Sequence, residues 1–200
     1  MRLYLLRHGE TEWSRAGRKQ GRGDSPLTQL GKRQVSACAS FLAAEILPDC
    51  QVRLLSSPLG RARRSAEIVQ SSLNSRVGSF EVLDCLAEHD YGAWEGLTNS
   101  EIEYRFPGEQ DSRHQNHWKF RIPDGESYEL VSKRLERWLS NLDPDTTIIA
   151  VAHDIVSRVL RGMYLGLPEK QVFDLTHPHT RVYFLSSGKI EQYDVVAGTA

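Results

Sequence analysis

The sequence predicts an α/β protein, a three-layer α/β/α sandwich built on a mostly parallel sheet with an inserted lid region. Three observations carry this reading. The runs Arg2–Leu6, Gln51–Leu55 and Thr147–Ala152 have the near-continuous apolar character of strands covered on both faces. Helical patterns separate them, the alternation that builds a parallel sheet. Each run also stops abruptly at polar residues, and ligands gather beyond the carboxyl ends of such strands.

The chain of 200 residues is long enough for a real core, and a single domain over 1–200 is expected. A formal net charge of −1 gives no electrostatic case for nucleic acid or an anionic membrane as partner. Cys38, Cys50 and Cys85 show no CxxC spacing and cannot all pair internally, which favours free thiols in a reducing compartment. The N-terminal apolar run is too short for a signal peptide, and no segment approaches membrane-spanning length. The expected location is cytoplasmic.

Taken in order, Arg2-Leu3-Tyr4-Leu5-Leu6 is the first strand, and it ends in Arg7-His8-Gly9. Residues 9–27, rich in glycine, read as a long loop, and loops of that length are often functional. Thr28 caps a helix from about Gln29 to Leu47, with Leu30, Val35, Ala39, Leu42 and Ala43 inward and Pro48 closing it. The second strand, Gln51–Leu55, leads through Ser56-Ser57-Pro58 into a helix over Leu59–Leu73. A third short strand, Phe80–Leu83, leads to Glu88.

Residues 89–125 are polar and irregular, with a short helix near 98–106, and read as the lid. Trp94 and Trp118 there are expected to pack rather than to hold substrate. Ser127 or Asp124 caps a helix to about Leu142, with Leu130, Leu135 and Leu139 inward. Thr147–Ala152 is the strongest central-strand pattern; it ends in His153, and a helix follows to Leu165. Val182–Leu185 and Ile190–Tyr193 flank Ser187-Gly188 as a closing hairpin.

If the strands are parallel neighbours, their ends bring Arg7, His8, Arg61, Glu88 and His153 to one rim. Two guanidiniums form a planar, always-charged clamp suited to phosphate oxygens. A neutral imidazole can attack phosphorus, while a carboxyl group or second imidazole protonates the leaving oxygen. Spreading charge onto preorganised cations is the main demand of phosphoryl transfer. His177 and His179 lack a third ligand at metal spacing, so no metal is expected, and no P-loop is present.

Six ordered segments between about residues 3 and 165 resemble the histidine phosphatase superfamily, the phosphoglycerate mutase-like family. Leu5-Leu6-Arg7-His8-Gly9-Glu10-Thr11 is similar to its L-x-R-H-G-E-T signature. Gly17–Gly21 with Asp24–Thr28, Ser57–Ala62, Glu88 with Tyr91–Gly96, Pro123–Ser127 and Val151–His153 resemble its later motifs. The resemblance implies a metal-independent phosphatase of the histidine acid type, with His8 as a nucleophile forming a transient phosphohistidine. It also implies Arg7, Arg61 and His153 on the phosphoryl oxygens, Glu88 as proton donor, and Ser14, Gln20 and Gly21 beside the substrate, with no cofactor. The structural alternative for Glu88 is an ion pair with a rim arginine.

Two positions depart from the family pattern: Ser14 stands where Asn is usual, and Asp154 where Gly follows the late histidine. Asp154 is expected to point away as a helix N-cap, not to face a dianionic phosphate. The resemblance leaves three functions in competition. A hydrolase of a small phosphorylated metabolite is favoured by the compact chain over a cofactor-dependent phosphoglycerate mutase. A non-catalytic phospho-ligand binder ranks last, because the reacting residues are all present. Arg15, Arg18, Lys19, Arg22, Arg113, Lys119 and Arg121 are available for a second anionic group or for solvent. Self-association, as a homodimer or otherwise, is left open.

Overall fold

The computed structural model describes residues 1–197. β1 (Arg2–Arg7) runs one residue beyond the apolar stretch, so Arg7 ends the strand. The loop after it holds a single turn, α1 (Glu12–Arg15), closed by a reciprocal capping box between Thr11 and Ser14. α2 (Gln29–Glu45) starts on the Thr28 hydroxyl, which accepts from the Gly31 N–H, and ends short of Leu47. Leu30, expected inward, is exposed: five positions from Val35, it lies off the Val35–Ala39–Leu42 stripe.

β2 (Val52–Ser56) precedes α3 (Gly60–Leu73), and β3 (Glu81–Val82) is a two-residue edge strand. α4 (Asn99–Arg105) matches the expected short helix. α5 (Glu109–Gln115) was not expected, since it buries no residue and has no apolar stripe to read. Its acids in the first turn and bases in the last suit the helix dipole. α6 (Tyr128–Ser140) is capped by Ser127, with Leu135 buried and Leu130 at the exposed edge.

β4 (Thr147–Ala152) is buried at every position, and α7 (Asp154–Leu165) follows at once. α8 (Glu169–Asp174), also unexpected, is a short turn that contributes Val172 to the core. β5 (Arg181–Ser186) and β6 (Lys189–Asp194) form the hairpin, turning through Ser187 and Gly188 at positive φ.

The sheet order is β3-β2-β4-β1-β5-β6, parallel from β3 through β1 and antiparallel at β5 and β6. Alternate strand residues feed two cores. Leu3, Leu5, Ile148 and Ala150 face α6 and α7, whereas Tyr4, Leu6, Ile149 and Val151 face α2 and α3. Helices on both faces make three layers. Segment 89–125 has its own small core of Trp94, Leu97, Ile102 and Ile122.

Strand register aligns β1, β4 and β2 at their carboxyl ends. Arg7 pairs with Ala152 across β1 and β4, and Ser56 pairs with Val151 across β2 and β4. His8, Ser57 and His153 therefore leave the sheet side by side. Among the described residues, no helix is long and apolar enough to cross a membrane.

Candidate active site

His8 is buried just past β1, where its Nδ1–H donates to the Gly9 carbonyl at 2.8 Å. A carbonyl only accepts, so the proton sits on Nδ1 and Nε2 carries an unprotonated lone pair. Arg61 Nε donates to that Nε2 at 3.3 Å. The His153 ring lies 5.1 Å from the His8 ring. Gly9 lets the chain after His8 pass directly against the first turn of α2, because a Cβ there would meet the Gly31 carbonyl oxygen at 2.1 Å.

Arg61 is fixed before any ligand arrives. Its Nη1 donates to Gly23 O at 2.7 Å and to Asp24 Oδ1 at 3.2 Å, and its Nη2 donates to Gly21 O at 2.8 Å. Gly21 presents that carbonyl from a left-handed turn at φ 53. Arg7 donates to His177 O at 2.9 Å, and its buried Nε has no partner. His153 Nε2 meets Ser57 Oγ at 2.7 Å, and its buried Nδ1 is likewise unpartnered.

Glu88 is not paired with an arginine, contrary to the ion-pair alternative. Its carboxyl group sits at the start of α7, accepting from the N–H groups of Ile155 and Val156 at 3.4 Å, and from His89 N at 2.9 Å. Burial, and then the Asp154 charge, push the Glu88 carboxyl up from its ordinary range. Burial, and then Arg61 and Arg7, hold His8 well below the ordinary imidazole value, and His153 is lowered the same way. A neutral imidazole with an unprotonated Nε2 therefore shares the pocket with a carboxyl group inclined to keep its proton.

A pocket of about 200 Å³ opens over these groups, bounded by Arg7, His8, Glu88, Lys19, Tyr91 and Asp154. Ser14, Gln20 and Gly21 also line it. The Ser14 hydroxyl is engaged by Thr11, and Gln20 Oε1 accepts from Ser25 at 3.0 Å, so each is held by the protein. All eight residues predicted from the sequence thus lie at this pocket or directly against His8 beneath it.

Asp154 corrects an expectation. His153 is the N-cap of α7, and Asp154 is its first helical residue, facing the pocket. Arg158 grips it one turn later, Nη2 to Oδ2 at 2.7 Å and Nε to Oδ1 at 3.0 Å, which offsets much of the charge. Of the loop and lid cations, Arg18 and Lys19 line the pocket, Lys19 with its Nζ 5.7 Å from the Tyr91 ring centre and Arg18 also paired with Glu101 at 2.7 Å. Arg15 and Arg22 are bound to Glu12 and Glu126 instead.

Sequence reasoning missed two groups. Ser57 holds His153, and His179 Nδ1 donates to the His8 carbonyl at 2.6 Å with its ring 5.5 Å from that of His8. Spacing alone presents His179 only as a metal ligand without companions. Its real partner is a backbone atom, which no side-chain spacing advertises. Among the described residues, no three His, Cys, Asp or Glu side chains stand together as a metal site.

Comparison with known proteins agrees with the geometry. The family model "Histidine phosphatase superfamily (branch 1)" matches residues 3–193. A 6-phosphofructo-2-kinase/fructose-2,6-bisphosphatase of Caenorhabditis elegans is 34% identical over 166 residues, 83% of this chain and 34% of that protein. A bifunctional protein of Mycobacterium tuberculosis is 36% identical over 181 residues, 83% of this chain and 48% of that one. The chain thus spans about a third to a half of the length of the curated relatives it matches.

Among solved structures, a mycobacterial glucosyl-3-phosphoglycerate phosphatase superposes with TM-score 0.77 at 25% identity, covering 99% of both chains. The α-ribazole phosphatase of Shigella flexneri gives 0.80 at 25% identity, covering 98% of this chain and 96% of that one. With the family model matching nearly its whole length, residues 3–193, this chain belongs to the histidine phosphatase superfamily.

Proposed function

We propose that this chain hydrolyses phosphate monoesters of small metabolites through a phosphohistidine on His8. The observation that carries the reading is the unprotonated Nε2 lone pair of a buried, neutral His8, which accepts from Arg61 Nε while the ring's other nitrogen is tied to Gly9 O. The mycobacterial and Shigella relatives are phosphatases, which supports hydrolysis over isomerisation.

In the first step Nε2 attacks phosphorus in line, and Glu88 gives its proton to the ester oxygen as the alcohol leaves. The attack consumes the lone pair that Arg61 Nε–H was bonding, so that donor is released to a phosphoryl oxygen. The contact is then worth more in the transition state than before it. Arg7 Nε and His153 Nδ1, both buried and unpartnered, supply further donors to the phosphoryl group. In the second step the Glu88 carboxylate takes a proton from water, the hydroxide attacks phosphorus, and the P–N bond breaks to return neutral His8. The pocket of about 200 Å³ holds a phosphoryl group and little more, so the rest of the ester lies against Lys19, Tyr91 and Ile155.

In this reading the chain is one catalytic domain with segment 89–125 as its lid. It works in the reducing cytoplasm, consistent with three free thiols. It needs no metal: dialysis against EDTA is expected to leave the rate unchanged, and a loss restored by a divalent ion would contradict it.

Assay of p-nitrophenyl phosphate and a panel of metabolite phosphates tests the reading. Phosphate release is expected, with conversion of 3- to 2-phosphoglycerate far slower. Isomerisation with little phosphate release would make the chain a mutase.

The pH dependence comes from two opposed shifts. His8 must be neutral and Glu88 protonated, so the rate rises with His8 deprotonation and falls as Glu88 loses its raised proton. Glu88→Gln is expected to remove the basic limb and to slow an alkyl phosphate by about 10²–10⁴-fold. p-Nitrophenyl phosphate, whose leaving group departs unaided, should suffer much less. An equal loss for both esters would remove Glu88 from the role of acid.

Asp154→Gly removes a carboxylate facing the pocket. Its KM for p-nitrophenyl phosphate is expected to fall by about three- to tenfold, on the order of 1 kcal/mol for a partly screened charge. The basic limb should move to lower pH, because Asp154 is one of the two main influences raising Glu88. An unmoved limb would show that Arg158 already cancels the charge.

A further inference from the structure

A second cavity, of about 940 Å³, lies away from His8, between α6 and the segment that follows β3. Its size falls within the range of small-molecule sites. Trp138, Leu83, Leu130 and Leu142 supply its apolar surface. Arg22, Arg53, Lys133, Arg134 and Arg137 also line it, against Asp84 as the acid.

On a chain whose net charge is −1, that is a local concentration of cations. Several are already occupied, Arg53 by Glu81, Arg134 by Glu126 and, in an exposed pair at 3.4 Å, Lys133 by Glu129. Arg137 is exposed with no side-chain partner among the described residues, and the buried Nε of Arg22 has none. A second copy of this chain docking face to face would set these cations against themselves, so self-association by this surface is opposed.

We propose that this groove is a second ligand site for a small organic anion bearing a planar ring, of the nucleoside phosphate type, whose binding changes turnover. The ring would lie on Trp138 and the leucines, and the phosphates would meet Arg137 and Lys133.

Two links join the groove to the catalytic pocket. Arg134 donates to the carbonyls of Cys85 and, at 3.3 Å, Glu88, so it holds the turn that carries the proton donor. Arg22 pairs with Glu126 at 3.6 Å and directly follows Gly21, whose carbonyl anchors Arg61. An anion drawing Arg134 or Arg22 outward shifts either Glu88 or the Arg61 clamp. The binding half of the proposal stands without the catalytic reading, and the turnover half rests on it.

Calorimetric titration with ADP tests the site, using the wild type, the Lys133→Glu/Arg137→Glu double variant and His8→Ala. Lys133 and Arg137 are exposed, so the double variant is expected to fold, with an unchanged melting temperature as the check. ADP is expected to bind the wild type and His8→Ala alike, and the double variant at least about tenfold more weakly. Pyrophosphate, which lacks the ring, should bind more weakly than ADP. No saturable binding, equal binding by the double variant, or loss of binding in His8→Ala would overturn the site.

Turnover of saturating p-nitrophenyl phosphate should change with ADP in the wild type and not in the double variant. A purely competitive effect would overturn the coupling. An inactive protein that still binds ADP through the groove would fail the catalytic reading and leave the site standing.

Discussion

His8→Ala is expected to lower phosphate release by about 10⁴-fold or more, while the fold survives. A nucleophile removed from a site whose parts act as a unit costs nearly the whole of the covalent route. Residual rate then comes only from the arginine clamp acting on water. The fold survives because the imidazole is held by one backbone carbonyl and one guanidinium, and Arg61 keeps its bonds to Gly21, Gly23 and Asp24 without it. Brief mixing with radiolabelled ester and quenching in alkali should trap a phosphoryl group on the wild type that is acid-labile and absent from the variant. Wild-type turnover by His8→Ala would end the phosphohistidine mechanism. Loss of turnover together with loss of cooperative melting would mean that the imidazole is structural.

The sequence carried the strands and the strand-end chemistry well, for a physical reason. β4 is six consecutive apolar or small residues, and a strand buried on both faces has no other way to look. The strand order makes neighbours of β1, β4 and β2, so residues distant in the chain leave the sheet from one edge. What stayed hidden has no periodic signature. α5 is polar throughout and buries nothing, and α8 is too short to show a stripe. Asp154 misled because aspartate is a favoured cap, yet His153 already has the extended backbone of the capping position, which places Asp154 inside the helix. The roles of Ser57 and His179 depend on hydrogen bonds across 96 and 171 positions of chain, to a ring and to a carbonyl. No local pattern encodes contacts of that kind.

Acid should destabilise this protein well before its carboxylates titrate. His8, His89, His153 and His177 are at most 2% exposed. Burial comes first among the causes that lower each of them, and neighbouring arginines come next; His89 is pushed down to about 3. Unfolded, each titrates near pH 6.5. Below that value the unfolded chain takes up protons that the folded chain refuses, so stability is fully present above about pH 6.5 and falls as pH drops.

Each buried imidazole costs about 1.4 kcal/mol per pH unit in that window. At about pH 5.5 the four together reach on the order of 5 kcal/mol, comparable with the whole stability of many domains. Glu88 acts in the opposite sense, since its raised proton stabilises the folded state at low pH, but it is one group against four. Between pH 7 and about pH 5.5 the melting temperature is expected to fall by about 10–20 °C.

His89→Phe separates this effect from the active-site chemistry. His89 packs on Tyr91 and Tyr128, its Nδ1 has no partner, and a phenyl ring fits such a setting without a proton to refuse. His117 and His179 are lowered too, each to about 4, so that variant should lose about a sixth less stability over the same interval, one titrating ring of six. A melting temperature flat from pH 7.5 to 5 would show that these imidazoles take up protons in the folded state, and the neutral His8 on which attack at phosphorus depends would then lose its basis.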